Sequence, residues 1–198
     1  MNRSSSLTIF LVFASYFSYA QTDYLSKGNE YFQQKNYSKA EQTFREAIHS
    51  DSSNFIYQCQ LALTLTEQGK YKESQEVLEH VLLKDSNNVA ALWYAGMNNF
   101  QNEKANPRIA IYYFEKVLPL LNVKQGQYYS ANLLIGQSYR ILLQTEGLSY
   151  NEVSRMLECY SSYLRLQPNA DDANDISAFV KHINQIRPTD NVGKWINK

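Results

Sequence analysis

Gly28, Ala62 and Gly96 are small residues placed 34 positions apart. The same interval separates Tyr37 from Tyr71, Ala40 from Ser74, Phe44 from Leu78 and Ala47 from Val81. A polar tetrad repeats with it: Asp51-Ser52-Ser53-Asn54 returns as Asp85-Ser86-Asn87-Asn88. A fixed period of this length means that one supersecondary unit is used several times. Such a unit cannot bury its apolar face alone, so it must stack on copies of itself.

Each unit divides into two amphipathic helices, A and B. In the first, Tyr24, Lys27, Gly28 and Tyr31 fall on one helical face, and Ala40, Phe44 and Ala47 on another. Asn36 interrupts the first pair of helices and Gly69-Lys70 the second. The small residue of helix A stands where it crosses helix B, because a larger side chain would hold the two axes apart. Composition agrees with helices: the 198 residues include 16 Tyr but 7 Gly and 4 Pro. That glycine content argues against a turn-rich β-sandwich.

The pattern Tyr24-x2-Lys27-Gly28-x2-Tyr31, followed by Ala40-x3-Phe44-x2-Ala47, resembles a tetratricopeptide repeat. Leu61-Ala62, Leu65, Ser74, Leu78 and Val81 repeat it. A third unit carries Ala95-Gly96 and then, two residues late, Ala110, Phe114 and Val117. A fourth carries Ile135-Gly136 and Tyr139, then an insertion of about eight extra residues within Thr145 to Ser154, before Met156, Tyr160 and Tyr163. It ends on Pro168, the family's terminal proline; Ser52 and Ser86 stand there in the first two units. The resemblance implies an all-α fold, a right-handed solenoid of about four helix-turn-helix repeats. The expected repeats are 21–54, 55–88, 89–124 and 125–168.

Beyond Pro168, Ile176, Phe179, Val180, Ile183 and Ile186 form one apolar stripe after Asp171-Asp172. This predicts a capping helix at 171–187, with the two acids as N-caps, closing a domain that spans 21–187. The tail, 188–198, is polar apart from Val192, Trp195 and Ile196, and Trp195 is its candidate for docking back. At the other end, Arg3 precedes the 11-residue apolar run Leu7 to Phe17, and Ser18-Tyr19-Ala20 presents small residues before Gln21. This reads as a signal peptide, residues 1–20, cleaved before Gln21. The run is about half of the roughly 20 residues a spanning helix needs. The "YAQ" ending resembles leaders of Bacteroidetes-type bacteria, which implies the periplasm. No membrane span is expected after cleavage.

Nothing in the sequence assembles into a catalytic, metal or cofactor site. There is no glycine-rich phosphate loop and no HExxH. His49, His80 and His182 are isolated, the first two placed to oppose a helix C-terminal dipole. Charged residues total 19% and balance to zero, so no strong field points to nucleic acid. Cys59 and Cys159 fall two repeats apart, too far for a disulfide, and are expected as free thiols. Asn36-Tyr37-Ser38 matches a glycosylation acceptor, but the reading taken is a turn with Ser38 as helix cap.

The resemblance also implies a concave groove lined by A helices. Its expected residues lie one position beyond the core stripe. They are Leu25, Asn29, Phe32 and Gln33 in the first unit, and Cys59, Leu63 and Thr66 in the second. The third supplies Trp93, Met97 and Phe100, and the fourth Leu133, Gln137 and Arg140. Some relatives clamp a C-terminal carboxylate there; Asn29 matches one clamp position, but Leu25, Ala90 and Tyr94 replace its basic residues. An apolar or extended peptide therefore fits better. The expectation is a non-enzymatic adaptor that binds a protein or peptide segment in an exported, envelope setting. The alternative is a structural module that self-associates into a homo-oligomer.

Overall fold

The computed structural model describes residues 23–102, 106–190 and 193–196. The expected signal peptide, residues 1–20, and its expected cut before Gln21 lie outside the described residues. The described residues are mostly helical: α1 (residues 23–33), α2 (Tyr37–Ser50), α3 (Phe55–Glu67), α4 (Tyr71–Lys84), α5 (Val89–Gln101), α6 (Pro107–Val117), α7 (Gly126–Thr145), α8 (Tyr150–Leu166) and α9 (Ala173–Ile186). A short 3-10 turn, Leu118–Leu120, follows α6. The helices form two compact units that divide between Leu83 and Lys84.

In the first unit, Ala40, Phe44 and Ala47 of α2 pack with Tyr57, Leu61 and Leu65 of α3. Tyr24 and Tyr31 of α1 lie against this core. Gly28 is required by close approach: a Cβ there would stand 2.5 Å from the Phe44 ring, inside van der Waals contact. The α3–α4 crossing is held differently. The buried Ser74 hydroxyl meets the Ala62 carbonyl at 2.8 Å and the Thr66 hydroxyl at 2.8 Å.

The second unit repeats the small-on-large crossing. Gly96 faces Phe114, and Gly136 faces Tyr160, where added Cβ atoms would meet the rings at 2.5 and 2.8 Å. Leu142, Leu143, Met156, Leu157 and Tyr160 build the core, and Ile176 and Ile183 of α9 complete it. The extra residues of the fourth repeat do not form a long loop. They extend α7 to Thr145, leaving a short turn before α8. In that turn Gly147 takes φ +78°, and Leu148 pairs with Trp195 as an antiparallel bridge, with N–H to carbonyl distances of 2.9 and 2.8 Å. Trp195 packs on the unit's core, so this part of the polar tail is docked.

The turns follow local chemistry. Asn54 and Asn88 accept from the free amides of Ile56 and Ala91, at 3.0 and 3.1 Å, and so cap α3 and α5. Asp51 and Asp85 instead accept from the amides two residues on, Ser53 and Asn87. The α1–α2 and α3–α4 turns place Lys35 (φ 57°) and Gly69 (φ 73°) at the same repeat position, both left-handed.

Three local expectations need correction. Asn36, not Ser38, caps α2, because its side chain reaches the Lys39 amide at 3.3 Å while Ser38 is already helical. Asp172 makes no cap bond to α9; its carboxylate accepts the Tyr163 hydroxyl at 2.6 Å instead. His80 lies a turn before the end of α4, and its Nδ1 stands 3.0 Å from Gln58 Oε1 rather than meeting helix carbonyls.

Candidate partner-binding surfaces

The off-stripe positions of the A helices divide by unit. In the first, Leu25 and Phe32 of α1 are half-buried against the core, and Phe32 meets Tyr37 edge-on at 5.4 Å. Asn29 is half-buried, Gln33 exposed and Leu63 half-buried. Cys59 and Thr66 differ from the groove expectation: they are 3% and 4% exposed. The Thr66 hydroxyl is turned to the Ala62 carbonyl and to Ser74, so it serves the α3–α4 crossing.

In the second unit, all six expected residues keep part of their surface. Trp93, Met97 and Phe100 are half-buried along α5, one turn apart from each other. Trp93 is braced by Phe114, edge-on at 5.7 Å, the same ring that fits under Gly96. The α5–α6 crossing that requires glycine therefore also orients the indole. On α7, Leu133 rests on the core, Gln137 is half-buried, and the Arg140 guanidinium lies 4.1 Å from the centre of the Phe179 ring in α9.

The sequence reading missed a cleft of about 850 Å³ in the first unit. Its walls include Ile48 and His49 of α2 and Val77 and His80 of α4; Gln58 and Leu61 of α3 form the floor. The Gln58 amide donates to the Ser52 carbonyl at 2.9 Å, so its oxygen accepts from His80 Nδ1–H. The available signal was Gln58 itself, a glutamine at a buried position of a largely apolar helix.

The charged groups are mostly structural. The Glu41 carboxyl is pushed up by burial, but hydrogen bonds from Lys70, Gln68 and Arg45 outweigh this and hold it at about 2. Arg155 forks onto Glu115 at 2.7 and 2.9 Å and tethers α8 to α6. Arg108 likewise joins the start of α6 to Glu146 and Glu152. Both cysteines are buried and outside any disulfide, and burial pushes the Cys159 thiol up to about 12, so it stays protonated. Among the described residues, no group of three or more His, Cys, Asp or Glu is placed to hold a metal ion. No helix described is long and apolar enough to cross a membrane.

These features define the class: an all-α solenoid of helical-hairpin repeats of the tetratricopeptide kind, followed by a C-terminal helix. Solved structures similar to this chain include a MamA protein (18% identity, TM-score 0.67, 85% of this chain and 84% of that one) and PilF of Pseudomonas aeruginosa (17%, TM-score 0.68, 85% and 71%). A tetratricopeptide repeat protein from Parabacteroides merdae is similar at 13% identity and TM-score 0.63, over 84% of this chain and 60% of that one. No family model matches the sequence, and no curated protein matches it.

Proposed function

We propose that the chain is a non-enzymatic protein-interaction scaffold that holds an extended segment of a partner on its A-helix surface, in an exported, envelope setting. The observation that carries this is the row Trp93, Met97 and Phe100 on α5, half-buried at successive turns, with Trp93 braced by Phe114. Large aromatic and thioether side chains on a rigid helix supply contact area with little ordering cost. The fold class supports the reading, since helical-hairpin stacks present long surfaces of this kind. The apolar run Leu7 to Phe17 ahead of Ser18-Tyr19-Ala20 supports export.

Self-association through the C-terminal helix is less favoured. The positions of α9 turned from the core are mostly polar, among them Asn174, Asp175, Lys181 and Gln185, with Ile186 as an exposed apolar exception. Such a surface ends a stack rather than extending it.

The test is affinity capture from the native envelope with the mature chain. The double variant Trp93→Ala/Phe100→Ala should weaken capture at least about tenfold, since aromatic anchors typically carry about 2 kcal/mol or more each. Circular dichroism should show unchanged helicity. Equal recovery by the double variant and the native chain would remove α5 from the binding surface.

A further inference from the structure

The A helices of the described chain are poor in positive charge. α3 and α5 contain no lysine or arginine, and α7 contains one cation, Arg140. This arginine differs from those that staple the helices. Arg45, Arg108 and Arg155 each pair with two carboxylates. Arg140 pairs with none among the described residues. It is half-buried, with its guanidinium over the Phe179 ring. Tyr160 meets the same ring edge-on at 5.8 Å, and its hydroxyl is buried. Burial pushes that phenol up to about 12, and the Arg140 charge and a hydrogen bond with the Arg140 side chain draw it part of the way back.

The arrangement has a physical consequence. A guanidinium stacked on an aromatic ring keeps its N–H edge free while one face is covered. Much of its desolvation cost is met when the chain folds, so an arriving anion gains charge-assisted, two-pronged hydrogen bonds at reduced further cost. Leu133 precedes Arg140 by two turns on α7 and is half-buried, so an apolar side chain lies on the same surface as the charge.

We propose that Arg140, backed by Phe179, is the anchor for an acidic side chain of the partner segment, a glutamate or aspartate preceded by apolar residues. This rests on the reading of the A-helix surface as the binding surface and assigns the partner's charge at one place on it. The carboxylate comes from a side chain because Arg140 is half-buried. A side-chain stem can reach it while the partner backbone stays on the surface.

The experiment uses the mature chain with arginine Nε–H and tryptophan Nε1–H groups followed by nuclear magnetic resonance. Three capped peptides are titrated to millimolar concentration: Ac-Leu-Phe-Glu-Gly-amide, its Gln counterpart as the amide, and the Gln counterpart with a free C-terminal acid. The Glu peptide should move the Arg140 signal and bind at least about tenfold more tightly than the Gln amide, the scale of a hydrogen-bonded charge pair. Arg140→Gln should abolish that preference, and Arg140→Lys should reduce it. Equal binding of Glu and Gln amides, with Trp93 still responding, overturns the acidic anchor and leaves the binding surface standing. A response to the free acid but not to the Glu amide overturns the side-chain source. No movement of Arg140 with the Glu peptide overturns the proposal outright.

Discussion

Single positions of this chain are dictated by single neighbours. Gly96 lies so close to Phe114 that a methyl group would enter the ring at 2.5 Å, and Phe114 is fully buried. Gly96→Ala should therefore destabilise the chain by about 1–3 kcal/mol, the usual cost of overpacking a filled core. The second repeat suggests the remedy, because Ala62 and Leu78 stand where the first has Gly28 and Phe44. Adding Phe114→Leu to Gly96→Ala should recover part of the loss in urea unfolding; a double variant weaker than the sum of both singles would refute the pairing. Glu41 sets a second residue-scale expectation. Its carboxyl is held at about 2, below the ordinary 4.5, so the folded state binds the proton more weakly than the unfolded chain. Its contribution is fully present above about 4.5 and is lost as pH falls toward about 2. Glu41→Gln should flatten the acid-unfolding profile in that window, and an unchanged slope there would rule out Glu41 as a contributor.

At the scale of helices, the asparagines that close the recurring tetrads decide where α3 and α5 begin. Asn54→Ala and Asn88→Ala should each cost about 1 kcal/mol, and the glycine variants only a few tenths. Urea midpoints measure both series; alanine variants as stable as the native chain would mean that the side-chain bonds at 3.0 and 3.1 Å contribute nothing. The tetrads were legible in the sequence as junctions because short polar side chains bond to their own backbone. The division of labour within them was not. Asp51 turns the chain and Asn54 caps the next helix, a distinction that depends on backbone angles. The same limit applies at Ser38 and Asp172, where the residue type suits a cap but a neighbouring asparagine or a tyrosine hydroxyl settles the bonding.

For the molecule as a whole, the notable element is the tail. Trp195 forms a two-bond bridge to Leu148 and lies on the core of the second unit, over the turn that the fourth repeat's extra residues create. Trp195→Ala should destabilise that unit by about 2 kcal/mol, less than a fully buried tryptophan because this one is half-buried. Hydrogen exchange should accelerate in the α7–α8 turn and stay unchanged in α2 and α3; uniform acceleration would contradict a local role. The sequence alone determined the repeat, the helices and the small-on-large crossings. A 34-residue period and helical spacing are properties of the chain read along itself. It also marked Trp93, Met97 and Phe100 as the off-stripe row of the third repeat. Only the tertiary structure decided which off-stripe residues keep a surface, burying Cys59 and Thr66 while leaving Trp93 and Arg140 part-exposed. Periodicity tells which way a side chain points from its own helix. Its accessibility and charge balance depend on what other helices bring to it: Ser74 to Thr66, Phe114 to Trp93, Phe179 to Arg140.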